Sequence, residues 1–223
     1  MIRLHAVVEG QTEETFVNEV LAPEMGARQI FIDAHCVTTG RRLPPERGGI
    51  RKYQQLKNDL VFWMKQEKAR DVRFTTMVDL YRLPTDFPGY DECKRKVDPH
   101  MRAECMEEHL QEDIQNDRLV PYIQLHEFEA LLFSDVSMFE IAFPDRPAEV
   151  RALKSIRDDF ASPEHIDDQP DQSPSKRILK VIPEYVKTVS GILIVQRIGL
   201  PVLRKQCAHF GRWLDRLEQL VAG

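Results

Sequence analysis

Three short apolar runs in this chain each lead to acids. Residues 2–8 stop at Glu9, residues 72–78 stop at Asp79, and residues 120–125 run into Glu127 and Glu129. A carboxylate at the end of a buried strand, beside a turn, is a natural seat for a divalent cation. The donors are oxygens with no cysteine cluster nearby, which suits a hard ion, Mg2+ or Mn2+. One such ion polarises a phosphate, and two clamp the attacking and leaving oxygens of a displacement.

Each acid also has a plainer role. Glu9 can serve the positive end of the helix that follows it. Asp79 can close an Asx turn, and Asp86 and Asp91 lie in a turn-rich loop where aspartate is ordinary. Glu127 and Glu129 on a short helix point in different directions, so at most one faces a shared site. His126 and Glu129 have the i, i+3 spacing of a ligand pair, and equally that of a structural histidine beside an acid. Cys207 and His209 would need two further ligands to hold zinc, so packing of a C-terminal helix is the simpler account.

A shared site requires a fold that gathers strand ends. Residues 2–8, 30–37, 72–80 and 120–125 read as strands, short, apolar and rich in β-branched side chains. Between them, residues 13–21, 53–69 and 91–116 read as helices, the first capped by Thr12 and ended by Pro23 and Gly26. This alternation predicts an α/β fold, a mostly parallel sheet with helices on both faces. In such a sheet the carboxyl ends of the strands meet at one edge, where ligands bind. Glu9, Asp79 and the acids after residue 125 would then converge. Residues 126–133 read as a short helix, residues 176–188 as a helix that Pro183 can break, and residues 201–221 as a last helix. The division expected is an α/β domain over 1–145 and a helical C-terminal extension over 146–223, packed on the same core.

Composition sets the outer bounds. The 223 residues suffice for one compact domain, and a net charge of −5 argues against nucleic-acid binding through a global positive field. Local basic patches remain available. Arg41, Arg42 and Arg47 lie in a Gly/Pro-rich loop, and Lys176 and Arg177 begin a helix. Each group can contact phosphates or stay solvated. No apolar run approaches the roughly 20 residues of a membrane helix, and no leader is evident. The scattered Cys36, Cys93, Cys105 and Cys207 predict reduced thiols in a cytoplasmic protein. No phosphate-binding P-loop, nucleophile elbow or dinucleotide glycine pattern occurs.

Glu9-Gly10-Gln11-Thr12-Glu13, with the strand ending at Asp79, resembles the Toprim domain of topoisomerases, bacterial primases and nucleases of the overcoming-lysogenization-defect (OLD) type. Further motifs follow in order: Asp79-Leu80-Tyr81 with Pro84-Thr85-Asp86-Phe87-Pro88-Gly89, Gln124 to Phe133, and Ser173-Pro174-Ser175-Lys176-Arg177. With these the chain is similar to the Toprim-like domain-of-unknown-function 4276 family over most of its length. The resemblance implies a Toprim/Rossmann-like fold and metal-dependent cleavage of DNA or RNA. Glu9 and Asp79 would hold the principal ion, Glu13 would support a second, and Lys176 and Arg177 would contact phosphate or the leaving group. It also implies an ATPase partner, either for a nuclease or for a non-catalytic Toprim-like subunit, and nucleotidyl transfer of the primase kind is a third expectation. One departure stands out. The second acid of the Toprim Asp-x-Asp pair is Tyr81 here, so the site holds one metal fewer or Asp86 or Glu129 substitutes.

Overall fold

A computed structural model describes residues 1–38, 49–166 and 171–221. Five strands form an all-parallel sheet: β1 (Ile2–Val8), β2 (Ile30–Cys36), β3 (Val72–Asp79), β4 (Leu119–Val120) and β5 (Ile123–Gln124). The order is β2-β1-β3-β4, with β5 also pairing to β3. Val8 lies opposite Met77 and Asp79 opposite Gln124, so the carboxyl ends of β1, β3 and β5 share one edge. The α/β class expected from the alternation is the one observed.

Helices cover both faces. On one, Val7, Phe74 and Val78 pack with Leu56, Leu60 and Met64 of α3 (Tyr53–Gln66) and with Ala103, Met106 and Leu110 of α5 (Pro99–Ile114). On the other, Leu4, Ala6, Val8 and Met77 join one core with Phe16, Val195, Phe210 and Trp213. These come from α1 (Gln11–Phe16), α9 (Ile192–Ile198) and α11 (Ala208–Gln219). The remaining α-helices are α2 (Ala22–Gly26), α4 (Tyr90–Cys93), α6 (Phe139–Ala142), α7 (Pro147–Asp158), α8 (Pro174–Val181) and α10 (Leu200–Gln206). Among the described residues, no helix is long and apolar enough to cross a membrane.

Proline explains most departures from the expected elements. The strand expected over 120–125 is two pieces, because Pro121 has no N–H for the ladder. Threonines of β3 bridge the gap. Thr75 Oγ1 donates to Val120 O at 2.6 Å, and Thr76 Oγ1 donates to Tyr122 O at 2.8 Å while accepting from Tyr122 N at 2.9 Å. The helix expected over 91–116 is likewise divided. Pro99 starts α5, and Asp98 caps it by accepting from His100 N at 2.8 Å. At the first helix, Gly10 rather than Thr12 precedes the first turn, and no side chain caps it. That helix does not stop at Pro23. It widens to an i→i+5 turn over Val17–Leu21, with Ala22 N bonded to Val17 O, and continues into α2.

Reduced thiols are corrected for one pair: Cys93 and Cys105 are disulfide-bonded, joining α4 to α5, while Cys36 and Cys207 take no part in a disulfide. The break between α4 and α5 brings the two cysteines together, and their spacing in a continuous helix would not have.

Thr76→Val removes one buried donor and one buried acceptor at the Pro121 gap. The expected loss is about 2 kcal/mol or more, read as a lower urea midpoint at unchanged slope, with Thr76→Ser costing distinctly less.

Candidate metal and phosphate site

The site begins with Glu9, one residue beyond β1. Its backbone N–H donates to Met77 O at 3.1 Å, and its side-chain Oε2 accepts the Asp79 N–H at 3.0 Å. The ends of β1 and β3 are thus fixed to each other by a buried carboxylate. Glu13 stands one helical turn on, in α1, and is also buried. Past β5, residues Phe128–Ser134 form a 3₁₀ segment that carries buried Glu129. The Tyr81 N–H bonds His126 O at 3.0 Å and ties this segment to the end of β3.

A lysine joins these acids. Lys187 Nζ lies 3.1 Å from Glu13 Oε1, 3.5 Å from Glu129 Oε2 and 3.7 Å from Asp79 Oδ2. It also sits 5.6 Å above the Phe128 ring. Its side chain is about one-third exposed, so the cluster opens to solvent along it. Asp79 Oδ1 is buried with no hydrogen-bond partner among the described residues.

Burial dominates the electrostatics. It raises the Glu9 carboxyl above its ordinary range, against the Asp79 N–H that favours the charged form. It holds Asp79 well above the carboxylate range, with Lys187 opposing and Glu9 and Glu13 reinforcing. Burial also pushes Glu129 up to about 7, against the pull of Lys187. Lys187 moves the other way. Its burial would lower it, but Asp79, Glu129 and Glu13 together hold it well above the ordinary lysine range.

The donor set fits a hard divalent cation. It is oxygen-only, it includes an unpartnered buried carboxylate oxygen, and a positive charge already sits among three of its members. The Lys187 ammonium lies among three of these acids, where such a cation would sit. Glu9, Asp79, Glu13 and Glu129 are the residues that would hold an ion.

The other sequence-derived candidates fall elsewhere. Glu127 Oε1 accepts the Ser175 N–H at 2.8 Å and so caps α8. Asp86 Oδ1 accepts Tyr53 N–H at 2.9 Å, at the start of α3. Lys176 is exposed, and the structure brings Lys187 rather than Lys176 to the carboxylates. Arg177 bonds Gln172 O at 2.6 Å and lies over the Phe160 ring. Arg41, Arg42 and Arg47 lie outside the described residues. His126 directs Nε2 to Glu164 O at 2.9 Å, a structural bond. Cys207 meets Ser134 Oγ, and His209 meets Glu107.

Two basic residues were missed by sequence reasoning. Lys187 falls at the end of the helix expected over 176–188, past the Pro183 that can break it, and no motif marks it. Arg82 follows Tyr81 and is near enough to Glu9 to favour its charged form. Its place immediately after the Asp79 strand was a usable signal.

Fold and site together define a parallel α/β protein with a buried acidic cluster at the carboxyl edge of its sheet. The chain belongs to the family described as Domain of unknown function (DUF4276), whose model matches residues 8–218. Two solved structures are similar in outline. One is the C-terminal region of the Burkholderia pseudomallei OLD protein, at 13% identity and TM-score 0.48, covering 99% of each chain. The other is the C-terminal region of the Xanthomonas campestris pv. campestris OLD protein, at 15% identity and TM-score 0.44, covering 97% of this chain and 94% of that one. No curated protein matches the sequence significantly.

The raised Glu129 carboxyl sets a pH dependence. The folded state keeps the Glu129 proton up to about pH 7, whereas an unfolded glutamate loses it near its ordinary value of roughly 4.3. Between those values the folded state binds more protons, so stability falls as pH rises. In the absence of divalent cation, unfolding free energy should drop by up to about 3 kcal/mol between pH 4.5 and 8. Glu129→Gln should flatten that slope in denaturant titrations at several pH values.

Proposed function

We propose that this protein is a divalent-metal-dependent nuclease of the Toprim type that hydrolyses phosphodiester bonds in DNA or RNA. The observation that carries the reading is the placement of Glu9 and Asp79 at adjacent strand ends, bonded to each other, with Glu13 and Glu129 turned to the same cation. Magnesium or manganese held by Glu9 and Asp79 would polarise a phosphate toward attack by water. The chain's own residues supply the rest. The Glu9 bond to Asp79 N holds the two principal ligands in fixed relation. Glu129 serves as the further acid that Tyr81 does not provide, reaching the cluster from the 3₁₀ segment after β5. Lys187 favours the charged forms of Asp79 and Glu129 against their burial and offers an ammonium to phosphate oxygens. Arg82, beside Glu9, is the nearby candidate for substrate phosphates; Lys176 and Arg177 are candidates through the family resemblance, and Arg41, Arg42 and Arg47 for the nucleic-acid backbone beyond. An ATPase partner belongs to the same proposal through the OLD-type resemblance.

A second reading has one specific observation in its favour. Lys187 already lies against three acids, and burial shifts Asp79 and Glu129 toward their neutral forms, so the cluster is tolerable without a metal. On that reading the chain is a non-catalytic, Toprim-like binding or regulatory subunit of an ATPase complex.

Supercoiled and linear DNA and single-stranded RNA, incubated with the protein and Mn2+ or Mg2+, distinguish the two. The nuclease reading expects metal-dependent cleavage, reduced at least about 100-fold by Glu9→Gln or Asp79→Asn. A Glu9→Gln protein as active as wild type, or inactivity both alone and with an ATPase partner, contradicts it.

A further inference from the structure

A second cluster of metal-ligating side chains lies on the other side of β1, away from the carboxylates. His5 of β1 is the register partner of Asp33 in β2, and His35 follows Asp33 by two residues on the same face. His5 Nδ1 is 3.0 Å from Asp33 Oδ1, His35 Nε2 is 2.6 Å from Asp33 Oδ2, and the two ring nitrogens are 3.3 Å apart. All three ligand atoms fall within 4.8 Å of one another.

We propose that His5, Asp33 and His35 bind a borderline divalent transition metal, zinc foremost. The ligand set is two imidazoles and one carboxylate, which suits zinc and not the hard ions of the acidic cluster. Ligands at zinc-bond distance from a tetrahedral centre stand roughly 3.3 Å apart, which is the spacing of the two ring nitrogens here. Hydrogen bonding alone accounts poorly for this arrangement. If both rings donate to Asp33, two N–H groups face each other across 3.3 Å. If His5 carries its proton on Nε2, that buried nitrogen has no partner among the described residues, and a lone pair faces the carboxylate. A cation between the three atoms removes the clash of two N–H groups and gives the Nδ1 lone pair a partner, while the Nε2–H of His5 stays enclosed.

The rings are held for the task. Trp63 of α3 stacks on His35 with centroids 3.8 Å apart at 16°, and His5 lies between Trp63 and Phe74 at 5.4 and 5.6 Å. Asp33 is half-exposed. His35 lines a surface cavity of about 350 Å3 with Glu14, Asp59 and Trp63, so water reaches the site and can fill the fourth position. Bound metal would pin the edge strand β2 to β1. This inference is independent of whether the carboxylate cluster cuts nucleic acid.

The test uses the untagged full chain, stripped with chelator and titrated with Zn2+ and with Co2+. One zinc equivalent should bind and raise the melting temperature. His35→Ala and Asp33→Asn should each weaken zinc more than about 100-fold, beyond the loss typical of an outer-sphere partner, while Glu9→Gln leaves zinc affinity at this site unchanged. His35→Cys should give the Co2+ complex a thiolate charge-transfer band that wild type lacks, which a merely structural His35 would not produce. The proposal is overturned if no zinc binds, if zinc affinity is the same in His35→Ala and Asp33→Asn as in wild type, or if the His35→Cys cobalt spectrum lacks the band.

Discussion

The bond from Asp79 N to the Glu9 carboxylate is the constraint on which the site depends. It places a charged group inside the sheet edge and uses it to hold two strand ends in register. An uncompensated buried carboxylate is expensive, so everything around it is arranged to offset that cost. The β1–β3 pairing supplies the first donor. The 3₁₀ segment after β5, tied to Tyr81 N, adds Glu129 to the same pocket. The turn before α9 then brings Lys187, among the described residues the one cation that meets three of the acids.

Buried acids elsewhere in the molecule show what is unusual here. Glu107 accepts Ile123 N, Glu127 accepts Ser175 N, and Glu164 accepts both His209 N and Phe210 N at the start of α11. Each closes a backbone donor that would otherwise be orphaned, the ordinary work of a buried carboxylate. Glu13, Asp79 and Glu129 turn instead to a lysine that is partly open to water. A protein seeking only stability would favour apolar residues in that position. Acids held together against their own electrostatics fit a site that exchanges one cation for another.

The sheet and its acidic edge were legible in the sequence because they rest on local signals. Short β-branched runs end at Glu9 and Asp79, and period and length alone set the strands and the edge they share. What was not legible depends on contacts distant in sequence. Pro121 and Pro99 divide elements that periodicity joins, and only the Thr75 and Thr76 hydroxyls show how the gap at Pro121 is closed. Cys93 meets Cys105 because the chain breaks at Pro99. Glu127 and Glu129 could not be separated by helical geometry, since the segment is 3₁₀ and starts from His126 at φ 61°. Lys187 carries no motif. Its role follows from the packing of α9 against α1, nearly the whole chain apart.

A crystal structure of the protein soaked with Mn2+ tests the central claim most directly. The account predicts anomalous density coordinated by Glu9 and Asp79, with the Lys187 ammonium moved from its place among Glu13, Asp79 and Glu129. Saturating manganese that leaves the acidic cluster without density, and Lys187 still spanning the three carboxylates, would contradict it.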